Sequence, residues 1–327
     1  MDKILGMGNA LTDALVKIED DSLLDTLHLP KGSMQLIDLD TLRLIREKTA
    51  GMTTVRATGG SAGNTIMALA HLGADVSFLG KVGEDETGRF FENTLRGAGV
   101  QTHLLRGNLP SGIASTFVSS DGERTFGTYL GSAVTLSADD ISSGMFAGCS
   151  YLYIEGYLVQ NHSLIERALS LAKQAGLQIC IDLASYNLVE AERDYFDSMI
   201  TRYADIVFAN SSEALALTGK GPLEAVEIIG QKCSVAIVKS GKKGSIVKKG
   251  TETLHITPCD VPRVDTTGAG DFYAAGFLYA LSSGFSLEKC LQTASILSNH
   301  VIQVVGTSLS SSCWEQIKLN VDQVLHS

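Results

Sequence analysis

Paired cysteines, positive charge and long apolar runs are what this 327-residue chain lacks. Its six cysteines (Cys149, Cys180, Cys233, Cys259, Cys290 and Cys313) lie far apart, and no two form a Cys-x-x-Cys pair. That spacing argues against zinc sites and thioredoxin-like chemistry. Cys149, Cys180 and Cys233 lie in apolar surroundings and read as buried free thiols. Lys and Arg number 26 against 36 Asp and Glu, a formal net charge of −10. A duplex nucleic-acid partner needs an electropositive face to displace counterions, so that partner is not expected. A nucleotide ligand stays open, because backbone amides, a metal and a few cations supply local positivity. No apolar run is long enough to span a bilayer. Met1-Asp2-Lys3-Ile4-Leu5-Gly6 leads straight into a strand-like segment without a signal-peptide core. A soluble, cytoplasmic protein with no membrane contact is the expectation. No stretch is polar or repetitive enough for disorder, and no internal repeat is evident.

What is present is enough apolar surface, 44% of residues, for a large core in one α/β domain or two smaller ones. From about residue 150, short apolar runs (Tyr151–Glu155, Gln178–Asp182, Ile206–Ala209, Val235–Lys239) alternate with helical patterns (Ser163–Ala175, Asp194–Tyr203, Ser211–Thr218). The same rhythm runs through strand Ile4–Gly8, helix Ala62–Leu72, strand Val76–Gly80 and helix Glu86–Ala98. Alternation of this kind predicts right-handed βαβ crossovers and a mostly parallel, doubly wound sheet. The C-terminal third predicts long helices over Gly268–Ser283, Ser286–His300 and Cys313–His326. Segments 12–50 and 105–132 break the rhythm. They contain Leu15–Ile18, Met34–Ile37, Ile113–Ser119 and Arg124–Tyr129, the last two joined by the turn Ser120-Asp121-Gly122-Glu123. They read as a small β-sheet appended to the α/β body and covering a ligand site at the main sheet's C-terminal edge.

Three segments carry candidate chemistry. Val264-Asp265-Thr266-Thr267-Gly268-Ala269-Gly270-Asp271-Phe272 runs into an apolar helix. Its small residues permit close backbone approach, and the unpaired N–H groups of the first turn form an anion site. Asp271 in that turn is placed either as a helix cap or as the base that takes a proton from a bound alcohol. The helix N-terminus is expected to hold its pKa low. Thr58-Gly59-Gly60-Ser61-Ala62-Gly63-Asn64-Thr65 opens another helix, either as a glycine-rich turn capped by Ser61 or as a polyol site in which Asn64 donates and accepts. Gly6-Met7-Gly8-Asn9-Ala10-Leu11 begins like a dinucleotide fingerprint, but Leu11 stands at the third glycine position and no acidic residue follows at the usual distance. An NAD-dependent oxidoreductase is weakened accordingly.

The first two segments together resemble the two signature regions of the PfkB family, the ribokinase-like kinases, and the resemblance runs over essentially the whole chain. It implies a doubly wound α/β core with a small β-sheet lid. It also implies ATP and magnesium, and transfer of phosphate to the hydroxymethyl group of a small sugar or nucleoside. By resemblance Asp271 is the catalytic base, and the backbone amides of Gly268, Ala269 and Gly270 form the anion hole. Asn210 and Glu213 look like the family's Asn-x-x-Glu element, with Glu213 reaching magnesium through water. Ser240, Gly241 and Gly244 resemble its nucleotide loop, and Ser295 lines the adenine site. Asp265 and Thr267 match positions that hold a monovalent cation, such as potassium, in some members. Asn9 and Asp13 are expected to grip substrate hydroxyls with Gly60 and Asn64. Arg124 of the lid hairpin reaches substrate or phosphate, or else faces solvent.

The start Gly6-Met7-Gly8-Asn9-Ala10-Leu11-Thr12-Asp13, the turn Ser120–Thr125 and Ile181-Asp182-Leu183-Ala184 are similar to the adenosine kinase branch. A free-sugar kinase for fructose, ribose or 2-keto-3-deoxygluconate is the alternative. A silent nucleotide- or sugar-binding regulatory protein is the alternative of another class. The lid edge is a natural place for pairing, so a monomer and a lid-paired homodimer are both open.

Overall fold

A computed structural model describes residues 2–327. In chain order the strands are β1 (Ile4–Met7), β2 (Leu11–Lys17), β3 (Met34–Leu36), β4 (Thr54–Gly59), β5 (Val76–Gly83), β6 (Gln101–Gly107), β7 (Gly112–Val118), β8 (Arg124–Tyr129), β9 (Tyr151–Glu155), β10 (Gln178–Asp182), β11 (Ile206–Asn210), β12 (Val235–Lys239), β13 (Ser245–Lys249) and β14 (Glu252–Ile256).

Nine of them form one sheet in the order β14-β13-β12-β11-β10-β9-β1-β5-β6. Every pairing from β12 to β6 is parallel, and β13 and β14 close one edge antiparallel. Helices cover both faces, so each inner strand buries alternate residues on opposite sides. Tyr153 and Phe208 pack with Phe272 and Phe277 of the helix Ala269–Ser282 on one side. Leu152, Ile154, Ile181 and Val207 meet Ile165 and Phe196 on the other. Two buried faces explain why these strands read as continuous apolar runs rather than alternating ones. The predicted helices of the C-terminal third are present as Ala269–Ser282, Leu287–Val301 and Ser311–His326. No helix among the described residues is long and apolar enough to cross a membrane.

Chain order reverses at β1. The chain moves outward to β5 and β6, then returns to β9 on the other side. Such a reversal opens a crevice at the C-terminal ends of the strands, the usual ligand position in open α/β sheets.

The second sheet has the order β3-β8-β7-β2-β4. Its hairpin β7–β8 closes through Gly122 at φ 86°, as the Asp-Gly turn predicts. The extent differs from the sequence expectation of 12–50 and 105–132. Thr54–Gly59 also belongs to this sheet as its edge strand, antiparallel to β2, while residues 105–107 complete β6 of the main sheet. The first half of β4 (Thr54, Val55, Arg56) is exposed and carries no buried apolar face, so nothing in its pattern marks it as a strand.

Candidate active site

Five neighbouring parallel strands place a polar or charged residue at the same edge of the main sheet. Asn9 follows β1, and Glu155, Asp182, Asn210 and Lys239 end β9, β10, β11 and β12. Across the crevice stand the glycine-rich helix starts at Gly60 and Gly268 and the inner side of the small sheet. Together they enclose a cavity of about 930 Å³, lined among others by Asp13, Asn64, Asp182, Lys239, Gly268 and Asp271. Segments far apart in sequence therefore meet in one place.

Asp271 sits in the first turn of the helix Ala269–Ser282. Its Oδ1 accepts from Ser61 Oγ at 2.7 Å and its Oδ2 from Asn64 Nδ2 at 2.9 Å. Burial pushes its pKa up to about 6, against the lowering effect of the Asn64 and Ser61 hydrogen bonds and of Lys239. The expected low pKa is thus corrected: desolvation outweighs the helix N-terminus. Gly268 precedes the helix at φ 74°, in the left-handed region that glycine tolerates. Of the three amides read as an anion hole, Ala269 N–H is taken by the Thr266 carbonyl at 3.2 Å. Those of Gly268 and Gly270 have no backbone acceptor among the described residues.

The Gly59-Gly60 segment is set by a residue that sequence reasoning missed. Glu155, buried at the end of β9, accepts from Asn9 N and Asn9 Nδ2 through Oε1 and from Ala62 N through Oε2, each at 2.8 Å. Burial pushes it up to about 7. Gly60 has φ 80°, and a Cβ there would collide with the Asn9 carbonyl oxygen, so only glycine fits between the two segments. Asn9, expected to hold substrate, is engaged with Glu155 and borders the cavity. Asp13 on β2 faces the cavity beside Gly59. Burial and the charge of Asp271 push it up to about 7.

Asn210 and Glu213, read from sequence as the metal and phosphate element, form a reciprocal cap. Asn210 N donates to Glu213 Oε2 at 2.7 Å and Asn210 Nδ2 to Glu213 Oε1 at 2.5 Å, while Asn210 Oδ1 accepts from Ser212 N and Glu213 N. Burial and neighbouring Asp182 push Glu213 up to about 7. Ser240 Oγ lies 2.8 Å from Ser211 Oγ and joins the two loops. Gly241 and Ser295 line the cavity, and a Cβ on Gly241 would meet only open space. Gly244 lines the cavity as well, and a Cβ there would also collide with the Ile256 carbonyl oxygen of β14, so packing of the sheet edge requires glycine at that position.

Arg124, Asp265 and Thr267, given separate roles from sequence, belong to one network. Arg124 Nη1 donates to Asp265 Oδ2 at 2.5 Å, and Gly306 N donates to the same oxygen at 2.7 Å. Thr267 N and Oγ1 donate to Asp265 Oδ1. Protein donors thus satisfy the carboxylate offered to a monovalent cation, and Arg124 supplies the positive charge there. Burial opposes the ionised form of Asp265, yet the Gly306 and Thr267 hydrogen bonds and Arg124 hold its pKa below the usual value.

Asp182 and Lys239 also escaped the sequence reading. Asp182 Oδ2 accepts from Lys239 Nζ at 3.1 Å and from Tyr153 Oη at 3.4 Å. With Glu155 they share one signal, a charged residue closing an otherwise apolar run at the ligand-facing edge.

No group of three or more His, Cys, Asp or Glu among the described residues forms a metal cage. The donor set nevertheless suits magnesium brought in with a nucleotide. Asp13, Glu155, Asp182, Glu213 and Asp271 line the cavity against the cations Lys239 and Arg263. Magnesium keeps most of its waters and needs few protein ligands. Both Glu213 oxygens already accept from Asn210, which suits contact through a metal-bound water.

An open, mostly parallel sheet with helices on both faces, a second small sheet and a strand-end crevice is the ribokinase-like architecture. The chain belongs to the pfkB family of carbohydrate kinases, whose sequence pattern it matches over residues 32–313. It is 27% identical over 303 residues to the 5-dehydro-2-deoxygluconokinase of Listeria monocytogenes, covering 88% of this chain and 93% of that one. Among solved structures it is similar to the adenosine kinase from Sinorhizobium meliloti, at 34% identity and a TM-score of 0.85 over 97% of this chain and 99% of that one. A probable sugar kinase from Rhizobium etli matches at 33% identity and a TM-score of 0.85 over 97% and 98%. The expected family, fold and enzyme class are therefore right.

Proposed function

We propose that the protein transfers the γ-phosphoryl group of ATP to the hydroxymethyl group of a ribonucleoside, adenosine above all. The supporting observation is the set of apolar side chains that the small sheet and its flanks present to the cavity: Leu11, Met34, Leu36, Ala114, Phe126 and Leu130. A flat base gains by covering such a wall, whereas a free polyol would leave it wet and its own hydroxyls unpaired. The 34% identity to the Sinorhizobium adenosine kinase supports the same reading. The sugar reading draws on the 27% identity to 5-dehydro-2-deoxygluconokinases and the 33% identity to the probable sugar kinase from Rhizobium etli, and on that reading the apolar wall faces water.

In the proposed mechanism Asp13 and Asn64 hold the acceptor with its hydroxyl at Asp271. The oxygen attacks the γ-phosphorus in line, the bond to the β-phosphate oxygen breaks, ADP leaves, and Asp271 takes the hydroxyl proton. A base with a pKa of about 6 is ionised at neutral pH and still able to accept a proton as the new bond forms. The N–H groups of Gly268 and Gly270 face the charge on the transferring group. Magnesium, when bound with ATP, supplies further charge compensation on the phosphates. The small sheet acts as a lid that excludes water and suppresses hydrolysis.

The test is ADP release from magnesium-ATP with adenosine, inosine, ribose, fructose and 5-dehydro-2-deoxygluconate in parallel. A kcat/KM for adenosine at least tenfold above every sugar is expected. Preference for a sugar overturns the nucleoside assignment and leaves the kinase chemistry in place.

A further inference from the structure

We infer that Lys239 is a catalytic residue, whose ammonium group contacts the γ-phosphoryl group of ATP and compensates its charge during transfer. It closes β12, whose four preceding residues Val235–Val238 are fully buried. Nothing in that apolar run calls for a cation. Its Nζ reaches the cavity with the side chain only 15% exposed. There it lies 3.1 Å from Asp182 Oδ2 and 5.9 Å from the centre of the Phe208 ring.

Position relative to the anion site is the decisive observation. Lys239 Nζ lies only 3.2 Å from where a Cβ on Gly270 would stand. The ammonium thus rests against the turn that carries the unpaired Gly268 and Gly270 amides and Asp271. An alanine at 270 would stand between that turn and Lys239. Burial alone would drive Lys239 toward the neutral amine, but Asp182 and Glu213 reverse this and raise its pKa. It enters the reaction as a cation and leaves as one, neither giving nor taking a proton. The other cation at the cavity wall, Arg263, follows Pro258, Cys259 and Val261 on the outer loop, and Arg124 is committed to Asp265.

A single anionic partner could make Lys239 a structural counter-ion for Asp182 and nothing more. The two roles differ in what they do to ATP relative to ADP. A counter-ion affects both nucleotides alike, while a group on the γ-phosphoryl distinguishes them. The inference rests on transfer from ATP and not on which alcohol accepts it.

Binding of ATP and of ADP is measured by calorimetry in EDTA, so that neither metal nor turnover enters, on the native protein and on Lys239→Met. The substitution is expected to weaken ATP about tenfold or more, the loss of a charge-assisted hydrogen bond, and ADP less than threefold. Turnover with magnesium-ATP and the best acceptor should fall roughly 10²- to 10³-fold. Equal losses for the two nucleotides, or turnover within threefold of native, overturn the inference. If Lys239→Met shows no cooperative melt, Lys239→Arg keeps the charge and takes its place. A folded arginine variant is expected to keep the ATP-over-ADP preference, and one that has lost it overturns the inference as well. A native protein that turns over no acceptor refutes the proposed function, and the calorimetry still decides the role of Lys239.

Discussion

Arg124 on β8 of the small sheet and Asp265 on the loop before the Gly268 helix start form an ion pair, with Nη1 2.5 Å from Oδ2. Their side chains are only 14% and 10% exposed, so this is not a solvent-screened surface pair. Thr267, two residues after Asp265, hangs on its other oxygen, and Gly268 follows directly. The contact fastens the small sheet to the turn that presents the Gly268 and Gly270 amides and Asp271. Two residues 141 positions apart in the sequence thereby become two ends of one connection.

Because the guanidinium already occupies the Asp265 carboxylate, potassium should add little. Native turnover is expected to agree within twofold in potassium and sodium buffers of equal ionic strength. Arg124→Ala should cost about 1.5–3 kcal/mol of stability by removing a hydrogen bond between charged groups, and its turnover should become potassium-dependent. Tenfold activation of the native protein by potassium would show that the carboxylate remains available to the ion.

The pKa of about 6 for Asp271 sets the direction of the pH profile. A base must be ionised to accept a proton, so kcat should fall about tenfold per pH unit below 6 and level off above it. Asp271→Asn is expected to lower kcat by roughly 10²- to 10⁴-fold while ATP affinity stays within a few-fold. An Asn variant with native turnover, or a flat profile between pH 5 and 8 under conditions where chemistry limits the rate, removes Asp271 from the role of base.

Asp13 lies on β2 of the small sheet, beside Gly59, and on the proposed mechanism should act on the acceptor alone. Asp13→Ala is expected to raise the acceptor KM by tenfold or more and to leave the ATP KM within twofold. A rise in both would mean that Asp13 instead holds the two sheets together.

How far the sequence reaches depends on what sets each feature. Apolar runs such as Ile206–Ala209 are legible because burial on both faces leaves no other composition, and the Gly268–Asp271 turn because few sequences need three small residues and a carboxylate there. Thr54–Gly59 is illegible as a strand because an exposed edge needs no apolar face. The pKa of Asp271 is illegible for another reason. Its helix position shows in the sequence, but the side chains that enclose it include Ser61 and Asn64, 210 and 207 residues away. Glu155 likewise acts on Asn9 and Ala62, whose backbone groups carry no mark of a partner.

Glu155 gives the last prediction. Replacing it with alanine orphans three buried donors, on Asn9 N, Asn9 Nδ2 and Ala62 N, and should cost roughly 3 kcal/mol or more. Glu155→Gln keeps the shape but turns one acceptor into a donor, so it should lie between native and alanine. The pH dependence of that difference has a definite sign. Burial raises the pKa of Glu155 from about 4.5 unfolded to about 7 folded, so the folded state binds the proton more tightly. The stabilisation from this linkage is complete below the unfolded value and is lost as pH rises through 7. Glutamine does not titrate, and the other ionisable groups are common to both proteins. The gap in melting temperature between native and Glu155→Gln should therefore be wider at pH 5 than at pH 8. A gap that widens with pH would mean that Glu155 folds as a stabilised anion, its three donors outweighing the burial that raises its pKa.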